Sequence, residues 1–335
     1  MRPITRMGVS TRGGVCGLAD HKTTGLNRAG SADKRRAVKK SDPGATTEAA
    51  QHRFRDADAW PAEEALAAML DSQVAALCSI RAAVPALAAA VAEAARRLSG
   101  PAGRLVYAGA GASARLAVQD GVELYPTFGW PHDRLAYLIA GGPAALLRSV
   151  EGAEDDAAAG QREAEALQPG PDDVFICVAA SGTTRYTCAV QSAARAAGAA
   201  TIGLANNPGA PLLEAAEFPV LLQSGAEFLA GSTRMGAGTA QKAALNLFST
   251  RLMAELGRVY AGRMVCVVPS NAKLIERAKR MVAQLTGASD ADAAAAWTQT
   301  GDIRLAVLML DGVGEDEARR RLAAACGNLR RARHG

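Results

Sequence analysis

Histidines and long apolar runs are both scarce in this chain. Its 335 residues include four histidines, and no two of them have the spacing of a metal-binding motif. No uninterrupted apolar run reaches the roughly 18 residues that span a bilayer, and the first residues lack the apolar core of a secretory signal. These absences predict a soluble, cytoplasmic protein with no metal ion and no membrane partner.

The six cysteines are scattered along the chain rather than grouped. Their spacing excludes a small disulfide-stapled scaffold and a zinc-ribbon pattern. Cys177 and Cys266 fall inside apolar stretches that read as secondary-structure elements. We therefore expect the cysteines to be reduced fillers of the core.

Most of the positive charge lies in the first 44 residues. This segment holds ten basic and three acidic residues, so it carries +7 of a chain whose net charge is +5, and the remainder carries −2. A nearly neutral remainder predicts no nucleic-acid partner for the folded part. Residues 1–44 have no apolar period, which predicts a disordered basic tail or an over-long start assignment. A nucleic-acid arm or a transit peptide stays open as an alternative.

The stretch from Arg104 to Pro126 reads as strand, turn and helix. Leu105 to Ala108 is a short apolar run, glycines follow it, and Ser113 stands where a helix N-cap is expected. The first N–H groups of a helix have no internal partners, so this turn is suited to hold a phosphate. Such turns also join strands to helices for steric reasons alone. The candidate contacts are Gly111, Ala112 and Ser113.

A similar unit follows between Val174 and Tyr186. A buried strand leads into a turn with several hydroxyl groups before the next helix. In open parallel sheets ligands bind at the carboxyl ends of the strands, so both turns are expected at one edge of the sheet. Together they predict a phosphorylated small molecule as ligand. The candidate contacts here are Ser181, Gly182, Thr183 and Thr184.

Strands and helices alternate through the middle of the chain, which predicts an α/β fold with a parallel sheet flanked by helices. The predicted strands are Leu105 to Ala108, Leu135 to Ala140, Val174 to Ala179, Thr201 to Leu204, Phe218 to Leu222 and Met264 to Val268. Leu305 to Leu310 is ambiguous between strand and helix. We expect a tail over 1–44, a helical N-terminal region over 45–100, the sheet domain over 101–268 and a C-terminal helical module over 269–335.

Three further positions bear on chemistry. Glu123 is predicted in the last turn of a helix stopped by Pro126, where the helix dipole disfavours ionisation and so favours a proton donor. Glu154 lies in an acidic cluster of the kind that often marks a helix start. A surface role is the commoner explanation for a glutamate at position 123, so the pattern alone selects neither carboxylate. Ser232 and Thr233 precede a long helix and either cap it or contact a ligand.

Seven short sequence blocks together resemble a known family in their order and spacing. They are Gly109-Ala-Gly-Ala-Ser-Ala-Arg-Leu116, Pro126-Thr-Phe-Gly129, Leu138-Ile-Ala-Gly-Gly142, Val150-Glu-Gly-Ala-Glu-Asp155, Ala179-Ala-Ser-Gly182, Gly231-Ser-Thr-Arg-Met235 and Ala237-Gly-Thr-Ala-Gln-Lys242. Together they resemble the N-acetylmuramic acid 6-phosphate etherase family. The resemblance implies a sugar isomerase (SIS) domain of flavodoxin-like topology and a homodimer with sites near the subunit interface.

The resemblance also implies a substrate, a reaction without a cofactor and roles for individual residues. The substrate would be a phosphorylated amino sugar, and no cofactor would be needed because the C1 aldehyde of the open sugar accepts the electrons. Glu123 would be the proton donor to the leaving lactate and Glu154 its partner acid or base. Ser232, Thr233 and Arg234 would form a third substrate-binding loop.

The chain departs from the family pattern around the predicted sugar site. Ala112 and Ala114 flank Ser113 where the family usually has Thr and Gly. The family's N-terminal Asn-Pro segment has no recognisable counterpart between Thr46 and Glu64. The alternatives are therefore a phosphosugar isomerase with the same sheet, and a non-catalytic sugar-phosphate-binding protein similar to glucokinase regulatory protein.

Overall fold

A computed structural model describes residues 46–334, so the predicted tail over 1–44 lies outside the described residues. The strands of the central sheet are β1 Leu105–Gly109, β2 Leu135–Ile139, β3 Val174–Val178, β4 Ala200–Ala205 and β5 Phe218–Leu221. All pairings are parallel, in the order β2-β1-β3-β4-β5. This order is that of a flavodoxin-like doubly wound sheet, and it confirms the predicted fold class.

Helices cover both faces of the sheet and continue beyond it. They are α1 Ala62–Leu98, α2 Gly111–Val122, α3 Leu124–Phe128, α4 Ala157–Ala166, α5 Arg185–Ala196, α6 Pro211–Glu214, α7 Gly236–Glu255, α8 Ala272–Thr286, α9 Asp290–Thr300, α10 Ile303–Leu310, α11 Glu315–Ala324 and α12 Leu329–His334. Three single 3-10 turns, Thr46–Glu48, His52–Phe54 and Ala57–Ala59, precede α1.

The sheet separates two apolar cores because successive side chains of a strand point to opposite faces. Tyr107 and Ile176 pack with α1, α2 and α7 on one face. Val106 and Phe175 pack with α4, α5 and α6 on the other. As a consequence α2, which follows β1, and α5, which follows β3, start at the same sheet edge but lie on opposite faces.

An ion pair fixes the amino end of the sheet between β1 and β3. The Asp173 carboxylate accepts from the Arg104 guanidinium at 2.6 Å and from the Arg104 N–H at 2.8 Å. Burial opposes the ionisation of Asp173, but these bonds and the Gly170 N–H outweigh it and hold the Asp173 pKa below its ordinary value. The pair therefore holds the two strands in register where the chain enters each of them.

Helix α1 is 37 residues long and buries only one side. Its buried face, which includes Ile80 and Leu87, packs on the sheet core and along α7. By length and composition alone α1 could cross a membrane, although charged residues interrupt its apolar run, and a third of its most apolar window is buried. The core helix of a soluble protein passes the same test. The opposite side exposes Leu66, Leu70, Val74, Leu77 and Val84.

The region after α7 differs from its prediction. Met264 to Val268 is not a sixth strand, because only Arg263–Met264 pairs, antiparallel with Val259–Tyr260, in a separate hairpin. Val265 is buried instead in a core formed by α8 to α12. Leu305 to Leu310 resolves as helix α10. These helices confirm a helical C-terminal region, whereas the exact domain boundaries stay predictions.

The cysteines match their prediction only in part. Cys177 is fully buried in β3, as a core filler should be, whereas Cys78 and Cys326 are exposed. The thiols of the described residues are free.

Candidate active site at the carboxyl edge of the sheet

The turn after β1 opens directly into α2. Gly111 has a φ of +55° and is the first helical residue, so Ser113 lies inside the first turn and the predicted N-cap role of Ser113 is wrong. A side chain at Gly109 would come within 2.9 Å of the Val178 carbonyl oxygen, which is why the turn is built from small residues. The first N–H groups of α2, at Gly111, Ala112 and Ser113, face the sheet edge without helical partners.

The turn after β3 presents its hydroxyl groups at the same edge. Ser181 Oγ accepts from the Thr183 N–H at 3.2 Å and from Thr183 Oγ1 at 3.0 Å. Gly182 has a φ of +71°, and a side chain there would meet Ala210 at 2.4 Å. Thr184 directly precedes α5. Since β1 and β3 are neighbours whose helices leave on opposite faces, these two turns flank the switch point where such sheets bind ligands.

Glu154 lies beside the first of these turns. It sits in the exposed 3-10 turn Ala153–Asp155 and lines a cavity of about 240 Å³ together with Gly111 and Arg115. The Arg115 guanidinium donates to the Ala145 carbonyl oxygen at 2.9 and 3.1 Å, so it also holds the turn that follows β2. A carboxylate and a guanidinium therefore border the predicted phosphate contacts.

Glu123 lies far from that cavity in the same chain. It is the exposed C-cap of α2, and the 12 residues of α2 rise roughly 18 Å from the turn at Gly111. Pro126 does not stop this helix, because it lies within the short helix α3 that follows Glu123. The structure thus groups Glu154 with the phosphate turns and places Glu123 at the opposite end of α2.

The third predicted loop precedes α7. Ser232 and Thr233 are partly exposed and Arg234 is exposed. The side chain that caps α7 is that of Glu227, whose two oxygens accept from the Gly236 and Ala237 N–H groups at 2.8 Å. The capping role considered for Ser232 and Thr233 is therefore wrong.

Comparisons with known proteins identify the family to which this chain belongs. A family profile of the glucokinase regulatory protein N-terminal SIS domain matches residues 86–194. An N-acetylmuramic acid 6-phosphate etherase of Deinococcus radiodurans is 51% identical over 85% of this chain and 93% of its own length. This chain belongs to the N-acetylmuramic acid 6-phosphate etherase family.

Other relatives agree with this membership. An N-acetylmuramic acid 6-phosphate etherase of Cronobacter sakazakii is 44% identical over 83% of this chain and 94% of its own length. Among solved structures, a phosphoheptose isomerase from Francisella tularensis matches with 15% identity and a TM-score of 0.40, over 58% of this chain and 98% of that one. The two etherase relatives confirm the family that the seven sequence blocks resemble.

In this etherase-family chain a buried carboxylate fixes the helix that carries Glu123. Asp120 accepts from Tyr107 Oη at 2.7 Å, from Asn246 Nδ2 at 2.6 Å and from Ser249 Oγ at 2.9 Å. Burial first, and the charge of Asp120 second, raise the pKa of the Tyr107 hydroxyl well above its ordinary value. Asp120 is one turn before Glu123, so this cluster ties the end of α2 to β1 and α7.

Several polar residues at the sheet edge were missed by sequence reasoning. Arg115 is part of a quoted family block and could have been proposed from it. Glu227 and Thr47 carry no local signal, because their partners lie 9 to 160 residues away in the chain. Only the folded chain brings them to the sheet edge.

Proposed function

We propose that this protein cleaves the D-lactyl ether of N-acetylmuramic acid 6-phosphate to N-acetylglucosamine 6-phosphate and D-lactate, in the recycling of cell-wall amino sugars. The observation that carries this proposal is the 51% identity over 93% of the length of a relative that bears the etherase name. The two hydroxyl-rich turns at the switch point support it, since they provide backbone and side-chain donors for a sugar phosphate.

The reaction needs two carboxyl groups and no cofactor or metal. In the open-chain sugar one carboxylate removes the C2 proton, and the C1 aldehyde takes up the electron pair. The C3–O bond then breaks, its electron pair goes to the lactyl oxygen, and an acid protonates that oxygen. Water adds across the resulting C2–C3 double bond, with its oxygen at C3 and a proton returned to C2. Glu123 is the proposed donor to lactate and Glu154 the partner acid or base.

The phosphate would be held by the starts of α2 and α5. Contacts from Gly111, Ala112 and Ser113 on one side and Ser181, Gly182, Thr183 and Thr184 on the other would bind its oxygens. The loop Ser232, Thr233 and Arg234 would contact the sugar. Glu154, which lines the same cavity as Gly111, would then lie close to the reacting carbons.

We further propose a homodimer in which the partner subunit supplies Glu123. The roughly 18 Å rise of α2 separates Glu123 from Glu154 within one chain, so one chain cannot place both carboxyl groups on adjacent carbons. The exposed side of α1 continues onto α7 as an apolar groove of about 910 Å³ lined by Val74, Leu77 and Leu247. A second copy packed on this groove would cover it.

The proposed packing of a second copy on α1 also affects the expected cellular location of the protein. An α1 covered by a second copy would be an interface helix rather than a membrane span, so we propose a cytoplasmic enzyme without a membrane or nucleic-acid partner. The substrate it would take is a phosphorylated sugar, which is itself too polar to cross a bilayer unaided.

The deciding experiment is incubation of the protein with N-acetylmuramic acid 6-phosphate and measurement of D-lactate. Release of D-lactate together with N-acetylglucosamine 6-phosphate is the expected result. An aldose–ketose conversion without lactate would instead identify a phosphosugar isomerase, since that reaction needs no acid for a C3 leaving group. Saturable binding without any turnover would identify a sugar-phosphate sensor.

A further inference from the structure

The segment before α1 is bound to the sheet edge by its backbone. Thr47 lies in the first 3-10 turn and is completely buried. Its carbonyl oxygen accepts from the Gly231 N–H at 3.1 Å. Gly231 is the residue directly before the loop Ser232, Thr233 and Arg234. A residue more than 180 positions earlier in the chain thus holds the start of that loop.

Asn207 joins Thr47 to the second loop. It follows β4 and is 5% exposed. Its Nδ2 donates to the Ala180 carbonyl oxygen at 3.0 Å and to Thr47 Oγ1 at 3.1 Å, and its Oδ1 accepts from the Thr47 N–H at 3.3 Å. Ala180 is the residue directly before Ser181. Both hydrogens of the Asn207 side-chain amide are therefore donated, one to the segment before α1 and one to the loop at Ser181.

Two further contacts keep the segment in place beyond Thr47. Gln51 Nε2 donates to the Ala226 carbonyl oxygen at 2.7 Å. The rings of Phe54 and Phe228 are 4.5 Å apart. These contacts fall on the chain between β5 and α7, so the segment spans the whole stretch that leads to Gly231.

We propose that Thr47 and Asn207 are positioning residues that set the distance between the loop at Ser181 and the loop at Ser232. Their side chains bond to each other, and Asn207 also bonds to the Ala180 carbonyl oxygen. Each acts through the residue that precedes a substrate loop, Ala180 on one side and Gly231 on the other. This inference rests on the proposed function, in which the two loops hold opposite parts of one phosphosugar. Misplacing either loop should weaken substrate binding more than it slows the chemical step, because the loops hold the substrate and do not act on its reacting carbons.

The first test compares three threonine variants in the full chain. Thr47→Val removes the hydroxyl but keeps the side-chain shape, and we expect the KM for N-acetylmuramic acid 6-phosphate to rise about tenfold while kcat falls no more than about threefold. Thr47→Ser restores the hydroxyl, so its KM should return to within about twofold of wild type. Thr286→Val, the control in α8, removes a hydroxyl that donates to the Val282 carbonyl and accepts from the Ala288 N–H, and it should lower Tm without changing KM.

The second measurement does not depend on turnover. Hydrogen–deuterium exchange of the Thr47→Val protein should become faster in both 179–184 and 229–235, and stay unchanged in α8 to α11. A wild-type KM in Thr47→Val, or faster exchange in neither loop or in only one of them, would overturn the positioning role. If the wild-type protein releases no lactate, the proposed function fails, and the exchange comparison still decides this inference.

Discussion

A mixture of two inactive variants should regain activity. Glu123→Gln and Glu154→Gln each remove one carboxyl group, and each alone should lower lactate release by roughly 10²–10⁴-fold, as expected for a lost general acid or base. In the proposed homodimer, a complete site combines Glu154 of one subunit with Glu123 of the other. A mixed dimer therefore contains one site with both carboxyl groups and one site with neither.

The expected recovery follows from counting sites. Random exchange of two variants mixed in equal amounts makes about half of the dimers mixed, each with one intact site of two, so about one quarter of wild-type activity should return. The assay is D-lactate release after subunit exchange in mild denaturant, with wild-type protein taken through the same treatment as the control. Activity that stays at the level of the single variants, in verified mixed dimers, would refute the shared site.

Three further outcomes follow from the described contacts. Replacing Ser113 and Ser181 by Ala should weaken phosphosugar binding measured by calorimetry, since each lost bond to a charged group is worth about 1.5–3 kcal/mol, and unchanged affinity would count against both turns. Arg104→Met should lower the free energy of unfolding by about 2 kcal/mol near neutral pH, the order of a hydrogen bond to a charged group. Because the folded pKa of Asp173 is depressed, the pair stabilises the fold above the ordinary carboxyl value of 3.8 and loses this effect as pH falls through the folded pKa, so urea titrations of variant and wild type should converge in acid. Asp120→Asn weakens three bonds to a buried carboxylate and should lower Tm by several degrees, with loss of lactate release if the end of α2 places Glu123.

The strands were predictable because buried parallel strands are nearly continuous apolar runs. Val174 to Ala179 is such a run, and the structure ends β3 one residue earlier. Met264 to Val268 is also an apolar run but does not form a strand, because Val265 packs among the C-terminal helices instead. Apolar composition shows that a segment is buried, but it does not show which core buries it.

The candidate site was only partly predictable. Helix starts after β1 and β3 follow from the alternation of elements, and both turns at Ser113 and Ser181 lie at the expected edge. The separation of Glu123 from Glu154 follows from the length of α2 and could have been worked out from the sequence. The junction of Thr47 with Asn207 could not, because no local pattern pairs residues 160 positions apart.

Glu227 has a consequence for the direction in which a substrate can lie. Helix α7 begins at the same sheet edge as the phosphate turns, but its first N–H groups are already bound by a carboxylate of the chain itself. A phosphate at the start of that helix would be repelled by the Glu227 carboxylate, and this repulsion would cost roughly 1–4 kcal/mol at a separation of about 4 Å. If the two turns bind the phosphate as we propose, Glu227 disfavours the reverse orientation, in which the phosphate would lie at the start of α7. An unphosphorylated sugar carries no negative charge, so Glu227 would not favour one of its orientations over the other.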